Sequence, residues 1–173
     1  MKEVDTLHTS TVKAAEKLDR YGNSILRIAV TYVKNKQDAE DILQDVLVKY
    51  ITCNPVFENA EHEKAWFIRV SINMAKNKCH SAAFRLRGNW VDTGSYCDSY
   101  QYNDVLEAVY MLPAKYKDII YLYYYEEYSV KEIAELLHKK ESTVKSLLKR
   151  GREKLGRSLK EEYEDAYTNK ASI

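Results

Sequence analysis

The sequence predicts an all-α protein built of two small helical domains joined by a flexible linker. Three observations carry that expectation. Apolar residues recur at helical spacing along most of the 173 residues, and only five glycines and two prolines interrupt them. One stretch, "RGNWVDTGSYCDSYQYND" at 87–104, loses the periodicity and gathers Gly, Ser, Asn, Asp and Thr, as a linker does. The expected division is a first domain at 1–86, a linker at 87–103 and a second domain at 104–173.

Composition narrows the function classes. With 45% hydrophobic and 31% charged residues, the chain can bury one good core or two small ones and is too apolar for a disordered chain. No apolar run approaches the roughly 20 residues of a membrane span, and "MKEVDTLHTSTVKAAEKLDR" lacks a secretory signal's apolar stretch, so a cytoplasmic location is expected. Cys53, Cys79 and Cys97 show no CxxC spacing, and Cys79 beside His80 has no second ligand pair to complete a zinc site. There is no phosphate-binding glycine loop and no paired nucleophile and base. The expectation is a non-enzyme with no catalytic residue, metal, cofactor or small-molecule substrate.

In the first domain, Leu18, Tyr21, Ile25, Ile28, Ala29 and Tyr32 form one apolar stripe. Ala39, Ile42, Leu43, Val46, Leu47, Tyr50 and Ile51 form a second, with Asp38 as its expected N-cap and Glu40 and Asp41 in the first turn. Another face of that second helix carries Asp41, Gln44, Asp45 and Val48, which reads either as a solvated face or as a docking surface for a basic partner. A third helix is expected through "EKAWFIRVSINMAKNKCHSAAFRLR", with Ala65, Ile68, Ile72, Ala75 and Cys79 inward. Trp66, Val70, Asn73 and Asn77 lie on a different face, beside Arg69, Lys76 and His80. From Lys64 to Val91 there are six Lys or Arg residues and no acid. An aromatic ring, amides and cations together suit single-stranded nucleic acid, though an ordinary basic surface helix has the same composition.

The second domain opens with "DVLEAVYMLPAKYKDIIYLYYYEEY", where Pro113 suits a helix start and Tyr116, Ile119, Ile120, Tyr123 and Tyr124 repeat at core spacing. Ser129 and Glu132 form a capping-box pattern opening "VKEIAELL", whose Ile133, Leu136 and Leu137 face inward and whose Ala134 permits close helix approach. After the turn "HKK", a last helix buries Val144, Leu147, Leu148 and Leu155 and exposes Thr143, Lys145, Ser146, Lys149, Arg150 and Arg152. Between Lys139 and Arg157 eight basic residues face Glu141 and Glu153 alone. This is the pattern of a helix-turn-helix whose second helix enters the DNA major groove; the alternative is a plain helical hairpin with a solvated basic face.

"KQDAEDILQDVLVKY", "AWFIRVSINMAKNK" and "LPAKYKDIIYLYYYEEYSVKEIAELLHKKESTVKSLLKRGREKL" stand in the order and spacing of a bacterial sigma factor, and the chain resembles the small two-domain extracytoplasmic-function type over roughly residues 15–160. The resemblance implies a promoter-recognition subunit of RNA polymerase. The family's polymerase-docking helix matches Asp38, Ala39, Glu40, Asp41, Leu43, Gln44 and Asp45, implying a surface for the clamp helices of the largest subunit of core RNA polymerase. Trp66, Arg69, Asn73, Lys76 and Asn77 match the element that captures the melted minus-ten strand, and "FENAEHEK" resembles the loop that holds an extruded base. Thr143, Lys145, Ser146, Lys149 and Arg150 match the reader of the minus-thirty-five element, with Arg152 beside them. The linker would thread near the polymerase active-site channel. Promoter DNA and an anti-sigma factor are the further partners implied.

This sequence departs from the family pattern at His138, where a turn glycine is common, and at Lys140, where a capping serine is common. Leu147 replaces a frequent arginine, and Asn77 a frequent aspartate. A DNA-binding regulator that works without core polymerase is the alternative function.

Overall fold

The computed structural model describes residues 2–33, 35–81, 108–109 and 111–170. The chain divides into two compact units, Met1–Ser95 and Tyr96–Ile173. The expected linker at 87–103, Cys97 and the last part of the expected third helix lie outside the described residues. All regular elements among the described residues are helices, and none is long and apolar enough to cross a membrane.

The first unit is a three-helix bundle of α1 (Lys2–Val30), α2 (Lys36–Cys53) and α3 (Ala60–His80), each packed on the other two. Its core joins Ile25, Ile28, Ala29 and Val33 to Ala39, Ile42 and Val46 of α2 and to Phe67, Ile68, Ile72 and Ala75 of α3. Phe67 was not among the expected core residues, yet it is 1% exposed and stacks on Tyr21 at 4.6 Å. Leu18 and Ile51, expected on the apolar stripes, are 44% and 41% exposed. An ionic node also joins α1 to α3. Lys17 Nζ lies 2.8 Å from the Glu63 carboxylate, Tyr21 donates its hydroxyl to Glu63 at 2.9 Å, and Arg20 stands 3.4 Å away.

The second unit holds α4 (Ala114–Tyr124), α5 (Val130–Leu136) and α6 (Glu141–Lys170). Helix α6 packs on both α4 and α5, which also touch each other. Val109, Leu112, Ile119, Ile120, Leu122, Ile133, Val144 and Leu148 fill its centre. Tyr124, expected in the apolar stripe, is half exposed, whereas Tyr121 faces the core.

The crossing of α6 over α4 depends on Gly151. A Cβ built there would lie 2.9 Å from Ile120 Cγ1 and 3.1 Å from its Cδ1, so glycine is what lets the two helices approach this closely.

Candidate nucleic-acid interface

Helix α2 starts earlier than its expected Asp38 cap. Asn35 is the N-cap, its side-chain oxygen accepting the Asp38 N–H at 2.7 Å, and this places Asp38 in the first turn. The Asp38 carboxylate accepts from the Asn35 amide and pairs with Lys78 of α3 at 2.9 Å. Asp38 is therefore 2% exposed and braces α2 from beneath rather than presenting a contact.

Lys78 bridges onward to Asp41 at 2.8 Å, and Asp41 keeps about half its side chain in solvent. Burial works against the Lys78 charge, but its hydrogen bonds and attraction to Asp41 and Asp38 outweigh burial and hold the ammonium above its usual range. Glu40 and Leu43 are half-buried, and Gln44 and Asp45 are exposed. Val48, two turns beyond Asp41, is also exposed. Of the face expected to dock a partner, Asp41, Gln44, Asp45 and Val48 are thus accessible, with Glu40 at its edge.

The stretch expected as a loop before the third helix is shorter than "FENAEHEK". Asn59 caps α3 by accepting the His62 N–H at 2.7 Å, so Glu61 to Lys64 are already helical. On α3, Trp66, Arg69, Asn73, Lys76 and Asn77 follow one another along one side, covering about 16 Å at 1.5 Å per residue. Asn73 and Asn77 are exposed, and Arg69 and Lys76 are half-buried. The Arg69 Nε meets no hydrogen-bond acceptor. Trp66 is half-buried in an aromatic cluster, edge-on to Phe67 at 5.1 Å, Phe57 at 5.9 Å and Tyr50 at 6.2 Å. One part of the ring serves packing, which leaves only its remaining edge or face for a ligand.

The capping box opening α5 is complete. Glu132 Oε2 accepts the Ser129 N–H at 2.7 Å while Ser129 Oγ accepts the Glu132 N–H at 3.3 Å. These bonds from Ser129 hold the Glu132 carboxyl below the usual carboxylate range. The helix ends with His138 in left-handed backbone at φ 51°, and the Lys139 N–H returns to the Ala134 carbonyl at 2.8 Å. That is a Schellman closure made with histidine in place of the usual glycine. Lys140 supplies the first carbonyl of α6, accepting the Val144 N–H at 3.1 Å.

All six residues expected on the reading helix are exposed on α6. At about 100° per residue, Val144, Leu148, Gly151 and Leu155 lie within one narrow stripe facing the core. Ser146 stands nearly opposite that stripe, with Lys149 and Arg150 about 130° from it on either side. Thr143 and Arg150 share one flank, and Lys145 and Arg152 share the other. The Ser146 hydroxyl donates back to the Thr143 carbonyl at 3.1 Å, leaving its oxygen able to accept. Lys145 stands 3.9 Å from Glu141, an exposed pair worth about 0–1 kcal/mol. Arg152 is different, because its guanidinium lies over Tyr123 and Tyr124 of α4 at 5.2 and 5.6 Å from the ring centres.

Sequence reasoning missed Lys78, Glu63, Phe67 and Gly151. Phe67 had a local signal, since it is a large apolar residue inside a helical pattern. The other three act through partners on another helix and left no mark at their own positions.

Comparison with known proteins follows the same two units. The family model "Sigma-70 region 2" matches residues 18–91, and "Sigma-70, region 4" matches residues 102–155. Among solved structures, the sigma factor RpoE in complex with the anti-sigma factor NepR from Bartonella quintana is similar with a TM-score of 0.64 and 23% identity, covering 84% of this chain and 96% of that one. CnrH in complex with the cytosolic domain of CnrY is similar with a TM-score of 0.63 and 19% identity, covering 90% and 94%. The sequence comparison with curated proteins returned no match. Two regions of one family, in order and on separate helical units, place the chain in the sigma-70 family of promoter-directing factors.

Proposed function

We propose that this sigma factor docks on core RNA polymerase through the exposed acidic face of α2, takes hold of the melted minus-ten strand along α3, and reads the minus-thirty-five element with α6. The observation that carries the proposal is the α6 arc: six exposed polar or cationic side chains on a helix set behind a completed capping box and turn. Duplex phosphates are neutralised by such cations, while side chains near the N-terminal end of the helix reach base edges. Arg150 and Arg152 are assigned mainly to phosphate, and Thr143, Lys145 and Ser146 mainly to bases.

On α3, exposed Asn73 and Asn77 offer paired donors and acceptors to unstacked bases. Arg69 and Lys76 supply charge beside them. Asp41 and Asp45 supply the negative charge for a basic clamp surface, and Asp38 contributes by fixing Lys78 and through it Asp41.

The protein acts by binding rather than by catalysis, and its work lies with polymerase in the cytoplasm. The similar RpoE structure is a complex with an anti-sigma factor, which supports the same kind of inhibitor for this chain.

The test is selection of transcripts from a library of random promoters by purified core polymerase with and without the full-length protein. A recovered two-part promoter consensus is the expected result. Folded protein that binds duplex DNA but neither binds core nor yields transcripts would instead be a regulator acting without polymerase. Within an active holoenzyme, Asn73→Ala should reduce permanganate reactivity of the minus-ten strand while leaving initial duplex binding unchanged.

A further inference from the structure

Arg152 occupies the edge of the α6 arc where that helix meets α4. Its Cζ lies 5.2 Å from the centre of the Tyr123 ring and 5.6 Å from that of Tyr124. The two rings pack edge to face on each other, 5.1 Å apart at 76°. Tyr124 remains 50% exposed, so this ring is not explained by the core that buries Ile119, Ile120 and Leu122 of the same helix. Gly151, the neighbour of Arg152, brings the α6 backbone close enough for the arginine to reach α4.

We propose that Tyr123 and Tyr124 are positioning residues that seat the Arg152 guanidinium for a backbone phosphate of duplex DNA. The proposal rests on the reading of α6 as the duplex-binding helix and adds residues of α4 to it. A carboxylate would also hold the arginine, but it would cancel the positive field that a phosphate needs. An aromatic face attracts the cation through its quadrupole and carries no net charge, so the charge stays available. An arginine laid across two rings has also given up much of its rotamer freedom before DNA arrives, which lowers the entropy still to be lost on contact. By contrast Lys145, on the same flank, has Glu141 for its neighbour.

The experiment measures binding of the full-length protein to duplex DNA of random sequence across a salt series, because phosphate contacts do not depend on sequence. Arg152→Ala should lower the slope of log K against log salt by about one unit. Tyr124→Leu keeps the charge and loses the seat. It should weaken binding about two- to fivefold, the range of an exposed cation–π contact, with the slope largely kept. Tyr124→Phe retains the ring and should bind as the parent does. The Arg152 side-chain N–H resonance reports the seat directly: ring-current displacement should be lost in Tyr124→Leu and kept in Tyr124→Phe. Should the Tyr123→Leu, Tyr124→Leu double variant keep its helicity and bind with parental affinity, the seat has no role in DNA binding. An equal loss in Tyr124→Phe would assign the effect to the hydroxyl and overturn the proposal. If Lys145→Ala and Arg150→Ala lower the slope while Arg152→Ala does not, the proposal fails and the reading of α6 stands. If none of the three cation variants changes binding, the reading of α6 itself fails.

Discussion

Gly151→Ala and Gly156→Ala make the same chemical change on one helix, five residues apart, and should have opposite effects. In a helix interior, alanine is favoured over glycine by about 1 kcal/mol. At Gly156 an added Cβ meets nothing within 4 Å, so that gain should appear in full. For a unit of this size it corresponds to a rise in Tm of about 4–8 °C.

At Gly151 the same gain competes with a Cβ placed 2.9 Å from Ile120 Cγ1, with Tyr116 Cβ at 3.5 Å behind it. Ile120 is 1% exposed and Tyr116 5%, so neither can swing into solvent to make room. Overpacking of this kind costs about 1–3 kcal/mol. The net effect at Gly151 is a loss of about 0–2 kcal/mol, and the gap between the two variants is the packing cost alone. Thermal unfolding of the full-length protein by calorimetry, with far-ultraviolet circular dichroism as a second probe, measures both. If Gly151→Ala melts as high as Gly156→Ala, the close approach of α4 and α6 is wrong, and with it the placement of Arg152 over the α4 tyrosines.

Glu63→Gln should destabilise the first unit by about 3 kcal/mol, because it leaves the nearly buried Lys17 without its carboxylate. Burial alone would raise the Glu63 pKa, but hydrogen bonds from Lys17 and Tyr21 and the charges of Lys17 and Arg20 pull it below its reference of 4.5. A depressed carboxylate stabilises fully above its unfolded pKa and loses that contribution as pH falls through the folded value. The parent should therefore lose stability below about pH 4.5 more steeply than Glu63→Gln, as denaturant titrations at several pH values would show. Glu127 and His138 have positive φ of 60° and 51°, so Glu127→Gly and His138→Gly should each raise stability by up to about 1 kcal/mol; a fall in Tm for both would refute the strain argument. Asp45→Lys should weaken core-polymerase binding without loss of helicity, whereas Asp41→Lys should also cost stability by repelling Lys78, a difference that pull-down and melting together resolve.

What the sequence determined by itself was whatever a single helix decides internally. The capping box at Ser129 and Glu132, the core stripe of Val144 and Leu148 and the exposed arc of α6 all follow from spacing of about 100° per residue, which holds wherever the helix packs. The order of the acidic, amide-bearing and basic helices was legible too, and with it the family. Only the tertiary structure decided which polar side chains of those helices are free to touch a partner. Asp38 reads as the N-cap of α2, yet it lies in the first turn, and Lys78 from another helix pairs with it there out of solvent. Trp66 stood at a binding position, and Phe57, Tyr50 and Phe67 enclose part of it. Arg152 read as one cation among several until α4 placed two rings beneath it. Each of these outcomes depends on how two helices are rotated and how closely they approach, and the periodicity of neither helix encodes that relation.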